Sequence, residues 1–208
     1  MNKYVLMTGA PGSKWSGVAR SIYGSESFDH TDHTSERNYR SEGRAEAMHT
    51  GAYWDPGMEF KTYDWDGPFS GEGIRLIKSH TFAHQLDHLK DPDYGFETPS
   101  YPIIMVYRND YECMNQWFEA GGFKITYPNY KPYYKNADNM WIQIKKQNSD
   151  IMDFIQKNRK DITRVYNNEQ LADTIEISRK GLGDEFHGPI HNYHEKDILV
   201  YVYQPKTS

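Results

Sequence analysis

A glycine-rich turn that carries a lysine and two hydroxyl groups follows the first apolar run of the sequence. The run covers residues 4–8, and the turn then reads Gly9-Ala10-Pro11-Gly12-Ser13-Lys14-Trp15-Ser16. Glycines let backbone N–H groups approach an anion closely, and a helix that begins after Ser13 adds the partial positive charge of its N-terminus. Ser13 and Ser16 can donate hydroxyl hydrogen bonds, and Lys14 adds a full charge. The segment is predicted to bind a phosphate-like anion, the alternative being an ordinary strand-to-helix turn.

This turn starts like the phosphate-binding loop of nucleotide monophosphate kinases and then departs from it. That loop reads Gly-x-x-x-x-Gly-Lys-Ser/Thr, and its last hydroxyl holds Mg²⁺. Lys14 stands where the second glycine is required, and Trp15 stands where the lysine is required. Trp15 cannot supply a charge or a Mg²⁺-holding hydroxyl. The turn therefore favours chemistry on a phosphate-like anion without Mg²⁺, and a P-loop phosphotransferase (a kinase) is the alternative.

Two further reactive side chains, Lys78 and His80, come at the end of the second apolar run, residues 74–78. Ligands of open parallel sheets bind outside the carboxyl ends of the strands. Lys78 could neutralise a transferring anionic group there, and His80 could take a proton from an incoming hydroxyl because histidine titrates near neutral pH. The alternative is a surface lysine beside a histidine that caps the following helix.

Cations also occur at two later positions. Arg108 follows the clearest buried strand, residues 103–107, and a guanidinium at that point suits bidentate recognition of phosphate. An ion pair with a nearby acid is the alternative for Arg108. Residues 179–184 combine two cations with two glycines, a composition that could fold over a phosphate and that is also common in solvated turns.

A metal site is not predicted. Two histidine groups have suggestive spacing: His80, His84 and His88, and His187, His191 and His194. The first group lacks the glutamate of the His-Glu-x-x-His zinc motif, and on a helix its outer members would lie about 12 Å apart. Cys113 is the single cysteine, which excludes an internal disulfide and a cysteine-cluster zinc site.

Composition limits the class of protein. The 208 residues suggest one domain over residues 1–208, and 15% aromatic residues argue against disorder. A net charge of −5 disfavours general nucleic-acid binding. An apolar run long enough to span a membrane is missing, the start of the chain does not look like a signal peptide, and one cysteine fits a reducing compartment. The expectation is a cytoplasmic protein with no membrane or nucleic-acid partner.

Strands alternate with helices along the chain, which predicts a three-layer α/β/α domain around a parallel sheet of four or five strands. Strands are predicted over residues 4–8, 74–78, 103–107 and 198–203. Helices are predicted after Ser13, over residues 81–89, around Cys113 and Trp117 up to Gly121-Gly122, over residues 139–158, and in part of residues 161–177. Residues 24–73 and 123–137 are predicted loops, and the length of the first suggests a functional lid or pocket wall.

Four of these segments, in this order, resemble the sulfotransferases that use 3′-phosphoadenosine 5′-phosphosulfate (PAPS). Residues 11–16 resemble the family's P-loop-like turn, typically Pro-Lys-Ser-Gly-Thr-Thr. Lys78-Ser79-His80 is similar to its Lys-Thr-His motif. Residues 103–109 are similar to its strand ending in Arg-Asn, and Arg179-Lys180-Gly181 to its Arg-Lys-Gly loop.

The resemblance implies a P-loop NTPase-like sulfotransferase fold and transfer of a sulfonate group from PAPS to an acceptor hydroxyl or amine, with adenosine 3′,5′-bisphosphate as product and no metal. The 5′-phosphosulfate would be held by Pro11, Gly12, Ser13, Lys14, Trp15 and Ser16. The 3′-phosphate would be held by Arg108, Gln116, Arg179, Lys180 and Gly181. His80 would be the catalytic base, Lys78 would support the sulfonate, and Lys14 would be the lysine that bridges it.

The sequence also departs from the family pattern. The family's turn lysine directly follows the proline, whereas Gly12 does so here and Lys14 comes two residues later. Gln116 stands where the family has a serine, and the obvious last strand, residues 198–203, comes after the Arg-Lys-Gly segment rather than before it. A non-catalytic protein that kept a nucleotide-binding shell is therefore a further alternative. The acceptor could be a small molecule, a glycan or a peptide, and Trp54 or another aromatic residue could stack on adenine.

Overall fold

The computed structural model describes residues 4–31, 69–89, 101–124, 131–183 and 190–204. Within these residues one open sheet has five strands in the order β2-β1-β3-β5-β4. The strands are β1 (Tyr4–Gly9), β2 (Arg75–Lys78), β3 (Ile103–Arg108), β4 (Ile162–Val165) and β5 (Ile198–Tyr203). The α-helices are α1 (Trp15–Tyr23), α2 (Leu86–Leu89), α3 (Asp110–Glu119), α4 (Lys131–Tyr134), α5 (Ala137–Lys157) and α6 (Asn168–Thr174). Short 3₁₀ helices cover His80–Gln85, Gly122–Lys124, Arg159–Asp161 and His194–Lys196.

Side chains of β1 alternate between the two faces of the sheet, as the period of two of a strand requires. Val5 and Met7 pack in one apolar cluster with residues of α1 and α6. Leu6 packs in a second cluster with residues of β2, α5 and the 3₁₀ helix His80–Gln85. Helices therefore cover both faces of the sheet, and the predicted α/β class is confirmed.

The sheet is mixed, so the prediction of a parallel sheet is wrong at one strand. β1 pairs in parallel with β2 and with β3. β5 lies between β3 and β4 and is antiparallel to both. The number of strands agrees with the prediction.

The path of the chain before β5 explains its direction. α1 starts just after the carboxyl end of β1, so its last turn lies near the opposite edge of the sheet. Gly183 N donates to Ser21 O at 2.9 Å near that last turn. Ile190 then returns toward the first turn of α1, where a Cβ added to Gly17 would lie 2.6 Å from its Cδ1. The chain thus reaches the carboxyl edge before β5 begins, and β5 can only run back across the sheet.

The predicted helices are confirmed in part. The helix predicted over residues 139–158 is α5, and it starts two residues earlier because the side chain of Asn136 accepts a hydrogen bond from Asn139 N at 2.9 Å. The helix predicted over residues 81–89 is a 3₁₀ helix followed by α2. Phe82 N bonds Ser79 O at 3.3 Å, and this three-residue spacing sets the tighter winding.

The segment predicted as partly helical, residues 161–177, contains both β4 and α6. β4 has four residues, and its two central side chains are exposed, so it lacks the apolar run that marks a buried strand. Much of the two predicted loops lies outside the described residues, as do Trp54, Asp184 and His187. In the described part of the chain, no helix has both the length and the apolar character needed to cross a membrane.

We expect Gly12→Ala to lower the free energy of unfolding more than a matched glycine substitution elsewhere. Gly12 has φ +79°, and an added Cβ would overlap the backbone carbonyl of Cys113. The left-handed backbone costs roughly 1–2 kcal/mol for alanine, and the overlap adds about 1–3 kcal/mol. Gly122→Ala is the control because its φ is +55° but the nearest atom lies 3.5 Å away. Urea unfolding of the two variants measures the difference, and equal losses would contradict the close contact.

Candidate functional site

The carboxyl ends of three adjacent parallel strands bring the predicted anchors together. β1 lies between β2 and β3, with Met7 opposite Lys78 and Gly9 opposite Val106. The turn after β1 therefore has Lys78 and His80 on one side and Arg108 on the other. This is the edge of an open sheet where ligands bind.

The turn itself holds an unsatisfied polar group. Gly12 and Lys14 both have left-handed backbone, with φ of 79° and 66°, on either side of Ser13. Ser13 N donates to Ala10 O at 3.0 Å and closes the turn. The Ser13 hydroxyl is fully buried and has no hydrogen-bond partner among the described residues. A buried hydroxyl without a partner costs about 1–3 kcal/mol, which an anion in the turn could recover.

Trp15, the first residue of α1, covers Lys78 at the end of β2 and His80 at the start of the following 3₁₀ helix. Its ring stacks on the His80 ring with centroids 4.1 Å apart and planes 29° apart. Lys78 Nζ lies 3.8 Å from the Trp15 ring centroid and donates to Ser16 Oγ at 3.3 Å. All three stacked side chains are buried. Lys78 thus reaches the start of α1 beneath an aromatic ring.

The hydrogen bond of His80 fixes which ring nitrogen can act as a base. His80 Nδ1 lies 2.6 Å from the carbonyl oxygen of Gly9. A carbonyl oxygen only accepts, so Nδ1 carries the proton of the neutral ring. Nε2 then holds the lone pair and is the nitrogen that can accept a proton.

Arg108 connects β3 to the turn. Its Nη1 donates to Gly12 O at 3.5 Å and to Glu112 O at 3.3 Å, and its Nη2 lies 3.3 Å from Glu112 Oε2. The ion-pair alternative is therefore present, although the Glu112 carboxylate is half exposed. Arg108 Nε is buried without a partner among the described residues. The guanidinium therefore has one buried donor that the contacts with the turn and with Glu112 do not use.

Residues just before β5 also belong to this edge, and the sequence did not indicate them. Burial lowers the pKa of Lys14, and the positive charges of Arg108 and Lys196 lower it further. The carboxylates of Glu119 and Asp197 act in the opposite direction. Lys196 and Asp197 reach the site because Ile198 pairs with Arg108 in the antiparallel register. A parallel β5, as predicted, would have put them at the opposite edge.

The Arg-Lys-Gly segment is not brought to the turn. Arg179 Nε donates to Asp173 Oδ1 at 2.7 Å, and Lys180 Nζ lies 2.7 Å from Glu26 Oε2. Gly181 packs against Gly24, which follows the last turn of α1. The nine residues of α1 separate this segment from the turn, a distance of about 14 Å. Both cations are exposed and paired with acids instead.

The remaining predicted residues lie in or near the turn. Pro11 is buried within it, and Gln116 is half buried on α3. α3 is also the helix whose Cys113 carbonyl meets Gly12.

Among the described residues, no group of three or more His, Cys, Asp or Glu side chains is placed to hold a metal. His84, for example, pairs with Asp150 at 2.5 Å rather than with His80.

The chain has no significant match to a protein-family model, to a curated protein or to a solved structure. Its site is therefore interpreted from its own residues and contacts.

We expect the thiol of Cys113 to resist modification in the folded protein. The side chain is fully buried, and burial raises the pKa of the thiol to about 12. The reactive thiolate is therefore scarce at pH 8. A chromogenic disulfide reagent at pH 8 should label the native chain slowly and the urea-unfolded chain at once, with one thiol per chain. Rapid labelling of the native chain would show that the contact between α3 and the Gly12 turn opens readily.

Proposed function

We propose that this chain is a sulfotransferase that moves a sulfonate group from PAPS to an acceptor hydroxyl or amine. The observation that carries the proposal is the convergence of three features at one edge of the sheet. They are the glycine turn at the start of α1, the Lys78 and His80 pair beside it, and Arg108 on its other side. This arrangement offers cations, helix N–H groups and a base within one small region.

The turn suits a phosphate-like anion on its own geometry. The Ser13 hydroxyl and Arg108 Nε are buried donors without partners among the described residues. Gly12 lets the turn pack against the Cys113 carbonyl, where a side chain would not fit, and so fixes the turn at the start of α1. An anion in the turn would accept hydrogen bonds from these donors and from the first N–H groups of α1.

Within this proposal each residue has a distinct role. PAPS supplies the sulfonate group when bound. Lys14 and the backbone of residues 12–16 hold the 5′-phosphosulfate, and Lys78, already at Ser16, offsets negative charge at the sulfonate. His80 Nε2 takes the proton of the acceptor, since Nδ1 is committed to Gly9 O.

A second candidate function is nucleotide binding without group transfer. It is favoured by Trp15, whose ring covers both Lys78 and His80. His80 is also buried, so transfer requires that neighbouring groups move before an acceptor can reach its Nε2. A protein that only binds the nucleotide has no such requirement, so turnover of an acceptor separates the two functions.

We expect the chain to bind adenosine 3′,5′-bisphosphate more tightly than adenosine 5′-phosphate, with no effect of a chelator. Arg108→Ala should cost about 1.5–3 kcal/mol of that binding, the range for a hydrogen bond to a charged group. Calorimetry with each nucleotide measures both effects. Arg159→Ala is the matched control, because Arg159 is exposed and precedes β4 at the opposite edge of the sheet.

Equal affinity for the two nucleotides would remove the 3′-phosphate site and with it the sulfotransferase proposal. Tight binding of ATP that depends on Mg²⁺ would favour a phosphotransferase instead.

We expect His80→Asn to lower sulfonate transfer by roughly 10²–10⁴-fold, the usual contribution of a general base. The asparagine amide can still donate to Gly9 O but cannot accept the proton. Affinity for adenosine 3′,5′-bisphosphate should stay nearly unchanged. An acceptor screen precedes the rate measurement, and His84→Asn is the control because His84 is partly exposed and paired with Asp150. Full activity with a lowered melting temperature would assign His80 a structural role only.

A further inference from the structure

We propose that Lys196, in the turn that precedes β5, completes a second anion site with Arg108, and that this site takes the 3′-phosphate of the nucleotide. The inference rests on the proposed function, because it names the residue that distinguishes a bisphosphate from a monophosphate. The family resemblance places that role on Arg179 and Lys180 instead.

The fold holds this turn between β3 and the start of α1. Ile190 packs against Gly17 in the first turn of α1, and Ile190 N donates to Ser21 Oγ at 2.8 Å. Eight residues later, Ile198 pairs with Arg108 at the carboxyl end of β3. The 3₁₀ helix His194–Lys196 therefore lies at the same edge of the sheet as the Gly12 turn.

The backbone around Lys196 is anchored rather than free to move. Tyr193 is buried, and its hydroxyl donates to Asn168 Oδ1 at 2.9 Å. Lys196 N and Ile198 N both donate to Tyr193 O, at 3.1 and 3.2 Å. Asp197 between them has left-handed backbone with φ 53°, which turns the chain into β5. The exposed Lys196 side chain thus extends from a fixed position beside the site.

Arg108 and Lys196 repel the ammonium group of Lys14, although acids also lie at this edge. Lys14, Arg108 and Lys196 are close enough that the latter two lower the pKa of Lys14. Arg108 also holds a buried Nε donor without a partner among the described residues. Acids at this edge act against anion binding. Glu112 forms an ion pair with Arg108, and the carboxylates of Glu119 and Asp197 raise the pKa of Lys14. A phosphate monoester, with a charge of about −2 near pH 7, would replace the repulsion among the cations with attraction.

The Arg179-Lys180-Gly181 segment is poorly placed for the same task. It lies at the far end of α1, and its cations are committed to Asp173 and Glu26. The antiparallel register of β5 instead brings residues 194–197 to the edge that carries the turn. Lys196 is therefore the basic residue that binds the 3′-phosphate in this chain.

The test compares four variants with two nucleotides by calorimetry. We expect Lys196→Ala to raise the Kd for adenosine 3′,5′-bisphosphate by about tenfold to a hundredfold, the equivalent of one charged hydrogen bond. The Kd for adenosine 5′-phosphate should change less than about threefold, since that ligand lacks the 3′-phosphate. Lys196→Arg should keep most of the affinity. Lys160→Ala, an exposed lysine at the opposite edge, and Lys180→Ala should change neither value.

Four outcomes overturn the inference. A selective loss in Lys180→Ala with none in Lys196→Ala would return the role to the Arg-Lys-Gly segment. An equal loss for both nucleotides in Lys196→Ala would make Lys196 a general electrostatic contributor. An unaltered chain that binds the bisphosphate, with Lys196→Ala unchanged, would refute the inference and leave the proposed function standing. An unaltered chain that binds neither nucleotide would refute both, and melting temperatures show whether every variant is folded.

Discussion

The contact between Gly12 and the backbone of Cys113 fixes the geometry of the whole carboxyl edge. Only a glycine lets the turn after β1 come so close to the first turns of α3. Arg108 then spans the contact, with hydrogen bonds to Gly12 O and to Glu112 O. These contacts hold β3, α3 and the turn after β1 together. α5 supports the same contact, because Asn148 Nδ2 donates to Arg108 O at 2.9 Å.

Two of the cations at this edge, Lys78 and Arg108, are buried, and their burial determines how strongly the site can attract an anion. The Lys78 ammonium lies against the face of Trp15, where cation–π attraction offsets part of its desolvation. Arg108 is over nine-tenths buried and keeps one donor without a partner in the described chain. Cations in a region of low dielectric attract an anion more strongly than exposed ones do. The edge is therefore suited to hold a highly charged ligand, whereas Arg179 and Lys180 lie in solvent and act only as surface ion pairs.

The turn after β1, the Lys78 and His80 pair, and Arg108 could be predicted from the sequence. Each of them follows an apolar run that is typical of a buried strand. Lys78 and Arg108 end such runs, and parallel strands place their carboxyl ends together. The direction of β5 could not be predicted this way, since an apolar run is the same in either orientation. That direction depends on where the chain lies before the strand begins, here on the packing of Ile190 against Gly17. Lys196 was missed for this reason.

The local structure of the turn concentrates unfavourable features at one place. Lys14 adopts a left-handed backbone that costs about 1–2 kcal/mol for a residue with a Cβ, and the neighbouring Ser13 hydroxyl is buried without a partner in the described chain. Trp15, which separates Lys14 from Ser16, has its ring over Lys78 and His80. Strain that persists beside buried, unsatisfied donors is typical of functional sites, where binding a ligand recovers part of the cost. The turn therefore presents a buried donor that a bound anion could satisfy.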